Sequence, residues 1–381
     1  MSEYRICNSC IMDSNADPDL VIEENGCCER CNMFKSQFLE KWNYGNGHEE
    51  ELKKLLDEIK KSGEGKPYDC LLGFSGGFDS SYMLHMAIKE WGLRPLVFHI
   101  DAGFNLPVGE RNIRTMVDKL GVDLKVEKVD FEDVKNLQIA LFRTGLAGCL
   151  DVAQDHAFIA VLDNYAVEHN IKYILNGENL STEAFSNPAY WAKNGGAGSD
   201  SKFLKDVIKR HSPAPLKNYQ FTNVVKRKII MPYIKGVKIV KPLNLIPYVL
   251  KDVQYLLETE YGWEPYPQKH FESMITKFIE GYWLPKRFNY DVRRHQLSSL
   301  VVTGQMTREE ALDKVKTLTL NDEEAKQLFS DVAGKLEISE AELHSYMDMP
   351  LWENHYKNSQ GIYNFGKKVF SLLGADTRIR K

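Results

Sequence analysis

No run of apolar residues in this 381-residue sequence approaches the roughly 20 needed to cross a bilayer, so membrane insertion is not expected. The opening residues, MSEYRICNSC, contain neither a basic leader nor an apolar stretch. They do not read as a signal peptide, and a cytoplasmic location is expected. An excess of positive charge is also missing: 49 Lys and Arg face 53 Asp and Glu, a formal net charge of -4. Proteins that neutralise nucleic-acid phosphates usually carry a basic surplus, so no nucleic-acid partner is expected. A short basic cluster, Lys226-Arg227-Lys228, reads as a solvated loop. There is no internal repeat and no low-complexity tract. Seven cysteines, an odd number without an export signal, do not suggest a disulfide framework.

The cysteines that are present are concentrated near the start: Cys7, Cys10, Cys27, Cys28 and Cys31, with Cys70 and Cys149 isolated. Cys7-x-x-Cys10 and Cys28-x-x-Cys31 make two knuckles whose spacing suits tetrahedral Zn²⁺ held by four thiolates. So small a segment cannot bury enough apolar surface to fold alone, and the metal would supply the missing free energy. Cys27 could replace Cys28, although Cys28 keeps the two-residue gap to Cys31. Free thiols, or a redox or sulfur-carrying role, are the alternatives to structural zinc.

Three regions follow from the pattern: a zinc-binding segment over 1–45, a core over 46–250 and a helical region over 251–381. After a polar linker (NYGNGHEE), an amphipathic helix is expected over 51–61. Strands are expected at 70–74, 96–100, 124–129 and 173–175. Helices are expected at 80–91, 109–120 and 151–169. Alternation of strand and helix predicts an α/β fold with a doubly wound parallel sheet. The stretch 185–221 is rich in Gly, Asn, Ser, Pro and aromatics and reads as a long loop. Thr307 and Glu310 have the spacing of a capping box.

The strongest motif is Ser75-Gly76-Gly77-Phe78-Asp79-Ser80, which follows one expected strand and opens the next expected helix. Two adjacent glycines allow a tight turn and a close approach to a ligand. The helix start offers unpaired N–H groups and positive dipole. Ser75 and Ser80 add hydroxyls. Together these form a cradle for an anion the size of pyrophosphate. Asp79 makes sense there with a cation, since a carboxylate can hold Mg²⁺ bridging to the phosphates. No Lys follows the glycines, so this is not a Walker A loop.

SGGFDS resembles the SGGxDS motif of the PP-loop (HUP-like) ATP pyrophosphatases, which cleave ATP between the α and β phosphates, most of them to adenylate a carbonyl or carboxyl oxygen. The resemblance extends to His99-Ile100-Asp101, to Asn176-Gly177-Glu178-Asn179 with Glu183 beyond, and to Lys241-Pro242-Leu243. It implies that Phe74, Ser75, Gly76, Gly77, Asp79, Ser80, Asp101 and Gly177 bind ATP. It also implies that Asp79 and Glu183 hold Mg²⁺, and that Asp79, Ser80, Glu178, Glu183 and Lys241 serve catalysis. Exposed loop charge is the alternative for Glu178 and Glu183, and a surface role for Lys241.

The combination of CNSCIMD and ENGCCERC, the core motifs, and the tail phrases KHFES, YWLP, RRHQLSSL and GQMTREEA resembles the N-acetyl sugar amidotransferases of bacterial surface-polysaccharide (lipopolysaccharide, O-antigen) biosynthesis. That resemblance implies ATP-dependent conversion of an acetamido group on a nucleotide-activated sugar to an acetamidino group, releasing AMP and pyrophosphate. It implies ammonia supplied by a separate glutaminase and a barrel-type partner. The substrate candidates are Asn179, His270, Glu272, Arg293, Arg294 and His295. A tRNA-modifying PP-loop enzyme and a non-catalytic zinc-ribbon adaptor are the alternatives.

Overall fold

In the computed structural model, which describes residues 3–192, 198–351, 355–362 and 364, five short strands form one parallel sheet. They are β1 (Cys70–Gly73), β2 (Pro95–Asp101), β3 (Leu124–Lys128), β4 (Tyr173–Leu175) and β5 (Lys238–Val240), in the order β3-β2-β1-β4-β5. The expected strands are all present, within two residues at each end. β5 was not expected, because three residues flanked by lysines and a proline give almost no period to read.

Successive residues of a strand face opposite sides. In β1, Cys70 and Leu72 therefore enter one core and Leu71 another; in β4, Tyr173 and Leu175 part from Ile174 in the same way. The first core packs beneath helices Glu49–Ser62, α1 (Phe78–His85) and α2 (Pro107–Leu120). The second packs beneath α3 (Val152–Glu168) and the segment Lys226–Ile234. The sheet is thus covered on both faces, as expected for a doubly wound fold.

Two expectations need correction. The helix after the glycine loop begins at Phe78 with Gly77 as N-cap, so Asp79 and Ser80 lie inside its first turn. The stretch 185–221 is not one loop. It contains helix Ser201–His211, N-capped by Asp200, whose carboxylate accepts from the Lys202 and Phe203 N–H groups at 3.1 Å. Phe203, Leu204 and Val207 give this helix a buried face, and the Gly- and Pro-rich flanks hide that pattern in the sequence.

A third core joins parts of the chain far apart in sequence. Cys7, Met12, Leu20, Phe34 and Trp42 pack in the same cluster as Leu137, Phe142, Trp191, Phe278, Trp283 and Phe329. The first 45 residues therefore share an interior with the helical region. The capping box of Thr307 and Glu310 is formed as expected and starts helix Arg308–Lys314.

The four expected zinc ligands are all fully buried, and their sulfurs lie within 4.8 Å of one another. The Cys7–Cys31 and Cys10–Cys28 sulfur pairs are each 3.8 Å apart. Four thiolates at tetrahedral Zn–S distances of about 2.3 Å would have edges of about 3.8 Å, so the set fits zinc. Cys27 is half-buried and outside the group, which selects Cys28. Backbone N–H groups of Ser9, Cys10 and Cys28 point at Cys7 Sγ, at 3.2–3.4 Å. Purified protein should contain about one zinc per chain. Cys10→Ser should lose it and unfold at lower temperature. Elemental analysis that finds no zinc, or an iron–sulfur absorption band, would overturn this assignment.

Candidate active site

The strand order changes direction at β1: the chain goes from β1 to β2 and β3 on one side, then returns to β4 on the other. In open α/β sheets, the crevice outside the carboxyl ends of the strands at such a point is where ligands bind. Here it is framed by the loop after β1 and by residues 176–179 after β4. Gly177 lies directly against α1: a Cβ there would sit 3.3 Å from the Asp79 backbone.

The loop itself is held by its own hydroxyls. Ser80 Oγ donates to the Gly77 carbonyl at 3.0 Å, the Gly77 N–H donates to Ser75 Oγ at 3.2 Å, and the two serine oxygens are 3.1 Å apart. Trp263 Nε1 donates to the Gly76 carbonyl at 3.0 Å. Gly76 has φ +82, and a Cβ would lie 2.8 Å from the Gly109 carbonyl oxygen. Only glycine meets both conditions. The first-turn N–H groups of α1 have no acceptor within the helix and favour an anion. Phe74 follows β1 and is buried; its carbonyl accepts from His99 Nδ1 at 2.8 Å if that nitrogen is protonated.

Asp79 is the centre of the arrangement. Its Oδ1 accepts from the Tyr248 hydroxyl at 2.6 Å and from Asn179 Nδ2 at 2.8 Å. Its Oδ2 accepts from Lys269 Nζ at 2.8 Å. The same ammonium donates to Glu183. The Lys269 and Asp79 side chains are only 13% and 14% exposed. Burial opposes a charge on Lys269, but the two carboxylates outweigh it and hold its pKa above the ordinary lysine value. The magnitudes agree: each contact contributes about 4 kcal/mol at an effective dielectric of about 20, against several for desolvation. Glu178 pairs with Lys241 at the ends of β4 and β5. Burial there raises the carboxyl's pKa, and Lys241 pulls it below the usual range.

Asp79 and Glu183, the two residues expected to hold magnesium, thus converge on the Lys269 ammonium. Two carboxylate oxygens around one cation are a donor set that suits Mg²⁺, and these two residues would hold it. Asp101 ends β2, and its Oδ1 accepts from the Gly103 N–H at 2.8 Å, turning the chain at the same edge.

Residues 69–171 match the phosphoadenosine phosphosulfate reductase domain family, and residues 272–370 match the LPS biosynthesis protein WbpG-like C-terminal domain family. The chain carries a PP-loop core and a WbpG-like C-terminal domain. A comparison with curated proteins finds no match. Among solved structures, the chain is similar to the NH3-dependent NAD synthetase of Campylobacter jejuni at 12% identity, over 72% of this chain and 99% of that one, with a TM-score of 0.32. It is also similar to the NMN synthetase of Francisella tularensis at 14% identity, over 59% and 99%, with a TM-score of 0.28. These likenesses are too distant to bear on substrate.

The WbpG-like domain meets the PP-loop core at its first residues. The Leu106 N–H donates to the Glu272 carbonyl at 2.9 Å, and the Met274 N–H to the Phe104 carbonyl at 2.7 Å. Glu272 is thereby placed against the glycine loop: a Cβ on Gly77 would lie 2.9 Å from Glu272 Oε1. Burial raises the Glu272 carboxyl above the usual range. His270, two residues earlier, adopts φ +70 and faces Glu280, with Nδ1 3.4 Å from Oε1.

Of the other substrate candidates, Asn179 stays at the site and the three on the later helix are engaged elsewhere. Asn179 is buried; besides holding Asp79, it caps the short helix Leu180–Glu183. Arg293 pairs with Asp291 and donates to the Lys314 and Thr317 carbonyls. Arg294 pairs with Asp13 at 3.1 Å and donates to the Ile11 carbonyl, fastening the zinc-binding segment. His295 is buried beside the Tyr290 hydroxyl, and burial lowers its pKa to about 3. On helix Arg293–Val302 these residues hold the fold.

Sequence reasoning missed Lys269 and Tyr248. Lys269 lies inside the tail phrase KHFES, beside the chosen His270, so its signal was present but unassigned. A lone Tyr after a Pro gives no such signal. Lys269→Met should leave the enclosed carboxylate of Asp79 and the partly exposed one of Glu183 without a counter-charge and lower stability by about 2 kcal/mol in urea titrations. Millimolar Mg²⁺ should restore part of that loss. A variant as stable as the parent protein, or one that Mg²⁺ leaves unmoved, would show that the ammonium is not the counter-charge.

Proposed function

We propose that the chain is an ATP-dependent, AMP-forming amidotransferase that converts the acetamido group of a nucleotide-activated sugar to an acetamidino group, in the biosynthesis of lipopolysaccharide. One observation carries the reading: a PP-loop core whose acidic residue, Asp79, is held by Lys269 directly beside the start of a WbpG-like domain.

The chemistry addresses amide resonance. Nitrogen donates into the acetamido carbonyl, so ammonia does not displace its oxygen unaided. In the proposed reaction the carbonyl oxygen attacks the α-phosphorus of ATP, and the bond to pyrophosphate breaks. The glycine loop and the N-terminus of α1 bind the departing pyrophosphate through backbone N–H groups, preplaced charge stabilisation that needs no reorganisation. Lys241, fixed by Glu178, neutralises charge on the α-phosphate. Bound Mg²⁺ adds Lewis-acid polarisation of phosphate oxygens. Ammonia then adds to the activated carbon, the carbon–oxygen bond breaks and AMP leaves.

Ammonia is assigned to a separate glutaminase delivering through a barrel-type partner. Burial raises the Cys70 thiol and pushes Cys149 up to about 12, and a glutaminase nucleophile needs the opposite shift.

The test combines ATP, an ammonium salt and a panel of acetamido nucleotide sugars. The expected result is AMP release together with a product whose mass shows oxygen replaced by NH. Asp79→Asn should reduce AMP formation by about 10²-fold or more while the protein stays folded. AMP release stimulated by tRNA and by no acetamido sugar would favour a tRNA-modifying enzyme and overturn the reading, as would glutamine-driven turnover by the lone chain.

A further inference from the structure

The Lys269 ammonium sits on the carboxylate oxygens that magnesium would need. Asp79 Oδ1 already accepts two hydrogen bonds, from Tyr248 at 2.6 Å and from Asn179 at 2.8 Å, so its lone pairs are taken. Oδ2 is left for a cation, and Lys269 Nζ is 2.8 Å from it. On Glu183, Oε1 accepts from the same ammonium. Magnesium binds carboxylate oxygen at about 2.1 Å, so an ion on Oδ2 would stand within about 4.9 Å of this nitrogen. A doubly charged ion that close repels the ammonium and takes over the negative charge that holds it. The two cations therefore exclude each other, and Lys269 needs a second partner.

Its surroundings supply one. Lys269 belongs to a stretch that touches the glycine loop on both sides of it in sequence. Before it, Trp263 Nε1 donates to the Gly76 carbonyl, and the Tyr266 hydroxyl would be 3.3 Å from a Cβ on Gly77. After it, Glu272 Oε1 would be 2.9 Å from the same Cβ. The ammonium itself lies 5.4 Å from the centroid of the Phe78 ring. Phe78 is the first residue of α1, whose N-terminal N–H groups favour an anion. A lysine carries its charge on a flexible four-carbon stem, so the ammonium can turn from the carboxylates to an anion in the loop while the backbone stays in place.

We propose that Lys269 is a displaceable counter-ion. It holds Asp79 and Glu183 together before the nucleotide enters, and it passes to the pyrophosphate oxygens once magnesium takes the carboxylates. This rests on the AMP-forming reading above. When the bond from the α-phosphorus to the bridging oxygen breaks, the pyrophosphate keeps the electron pair and gains one negative charge. The ammonium meets that charge, and no proton is transferred. After pyrophosphate and metal leave, the ammonium returns to the two carboxylates and keeps them from repelling each other.

Lys269→Met should therefore shift two affinities in opposite directions. Mn²⁺, followed by its electron paramagnetic resonance signal without nucleotide, should bind about tenfold or more tighter than to the parent protein, because no ammonium has to be displaced. Pyrophosphate, titrated by calorimetry with Mg²⁺ present, should bind about tenfold or more weaker, because a charge-assisted contact is lost. A lysine that only holds the fold would loosen both or change neither. Mn²⁺ binding that does not tighten, or pyrophosphate binding that does not weaken, would overturn the proposal.

The parent protein gives an independent readout that does not depend on the variant folding. Acetylation of Lys269 by an amine-reactive ester, followed by peptide mass spectrometry, should be slow without Mg²⁺, faster with Mg²⁺ alone, and slow again with Mg²⁺ and pyrophosphate together. A rate that Mg²⁺ leaves unchanged would show that the ammonium stays on the carboxylates, and the displacement would be wrong. If the parent protein binds no pyrophosphate even with Mg²⁺, the AMP-forming reading itself fails. If it binds pyrophosphate and Lys269→Met binds it equally well, only the role given to Lys269 fails.

Discussion

Asp79 places a carboxylate in the first turn of a helix whose loop is otherwise arranged for phosphate, and three donors from distant parts of the chain meet on its two oxygens. Asn179 follows β4, Tyr248 follows β5, and Lys269 follows the helical turn that ends at Tyr261. One carboxylate therefore fixes the exits of two strands and the entry to the C-terminal region. The contact with Lys269 matters most in energy. An enclosed ammonium is tolerated only with more than one carboxylate near it, because a single attraction of about 4 kcal/mol barely matches the cost of desolvation. Glu183 supplies the second, which ties the segment after β4 into the same arrangement.

From this bridge the constraint runs along the chain. With Lys269 held, residues 272–274 come to lie along the turn after β2, where main-chain hydrogen bonds to Phe104 and Leu106 fix them. The helices that follow pack over α3 and the core of Phe142, Phe278 and Trp283. The same stretch that neutralises Asp79 thus presents Glu272 to the glycine loop. A positive φ at His270 shows how tightly the turn is drawn, since residues with a Cβ rarely adopt that conformation.

Much of this was legible in the sequence, and the reason differs from element to element. The sheet could be read because β1, β2 and β4 are apolar runs bounded by turn residues, and the loop because SGGFDS has meaning only between a strand and a helix. The four-cysteine cluster could be read because tetrahedral coordination dictates spacing. The convergence of Asp79, Glu183 and Lys269 could not, because 190 residues separate the first from the last and no local period records a tertiary contact. Arg293, Arg294 and His295 illustrate the converse. Charged residues in a polar-looking tail invite a functional reading, but their partners, Asp291, Asp13 and Tyr290, show that they hold the fold. Composition gives the number of charges, and only the fold gives their pairing.

The zinc-binding segment fits the same scheme. A closed four-thiolate site has no open coordination position, so it acts by holding and not by reacting. What it holds is specific. Arg308 donates to the carbonyls of Cys7 and Cys10, and the Ile11 N–H donates to Ser298, so the knuckles are fastened to the C-terminal helices. Arg30 donates to the Ser186 carbonyl and Trp191 Nε1 to the Ala16 carbonyl, so the segment also clamps the chain just after Glu183. The Phe185 N–H donates to Ser299 on the same helix that carries Arg294. Glu183 is thus positioned from both ends, by Lys269 within the crevice and by the four-cysteine segment behind it. A zinc ion in that site, with no chemistry of its own, would then be part of what aims the carboxylate that would meet magnesium.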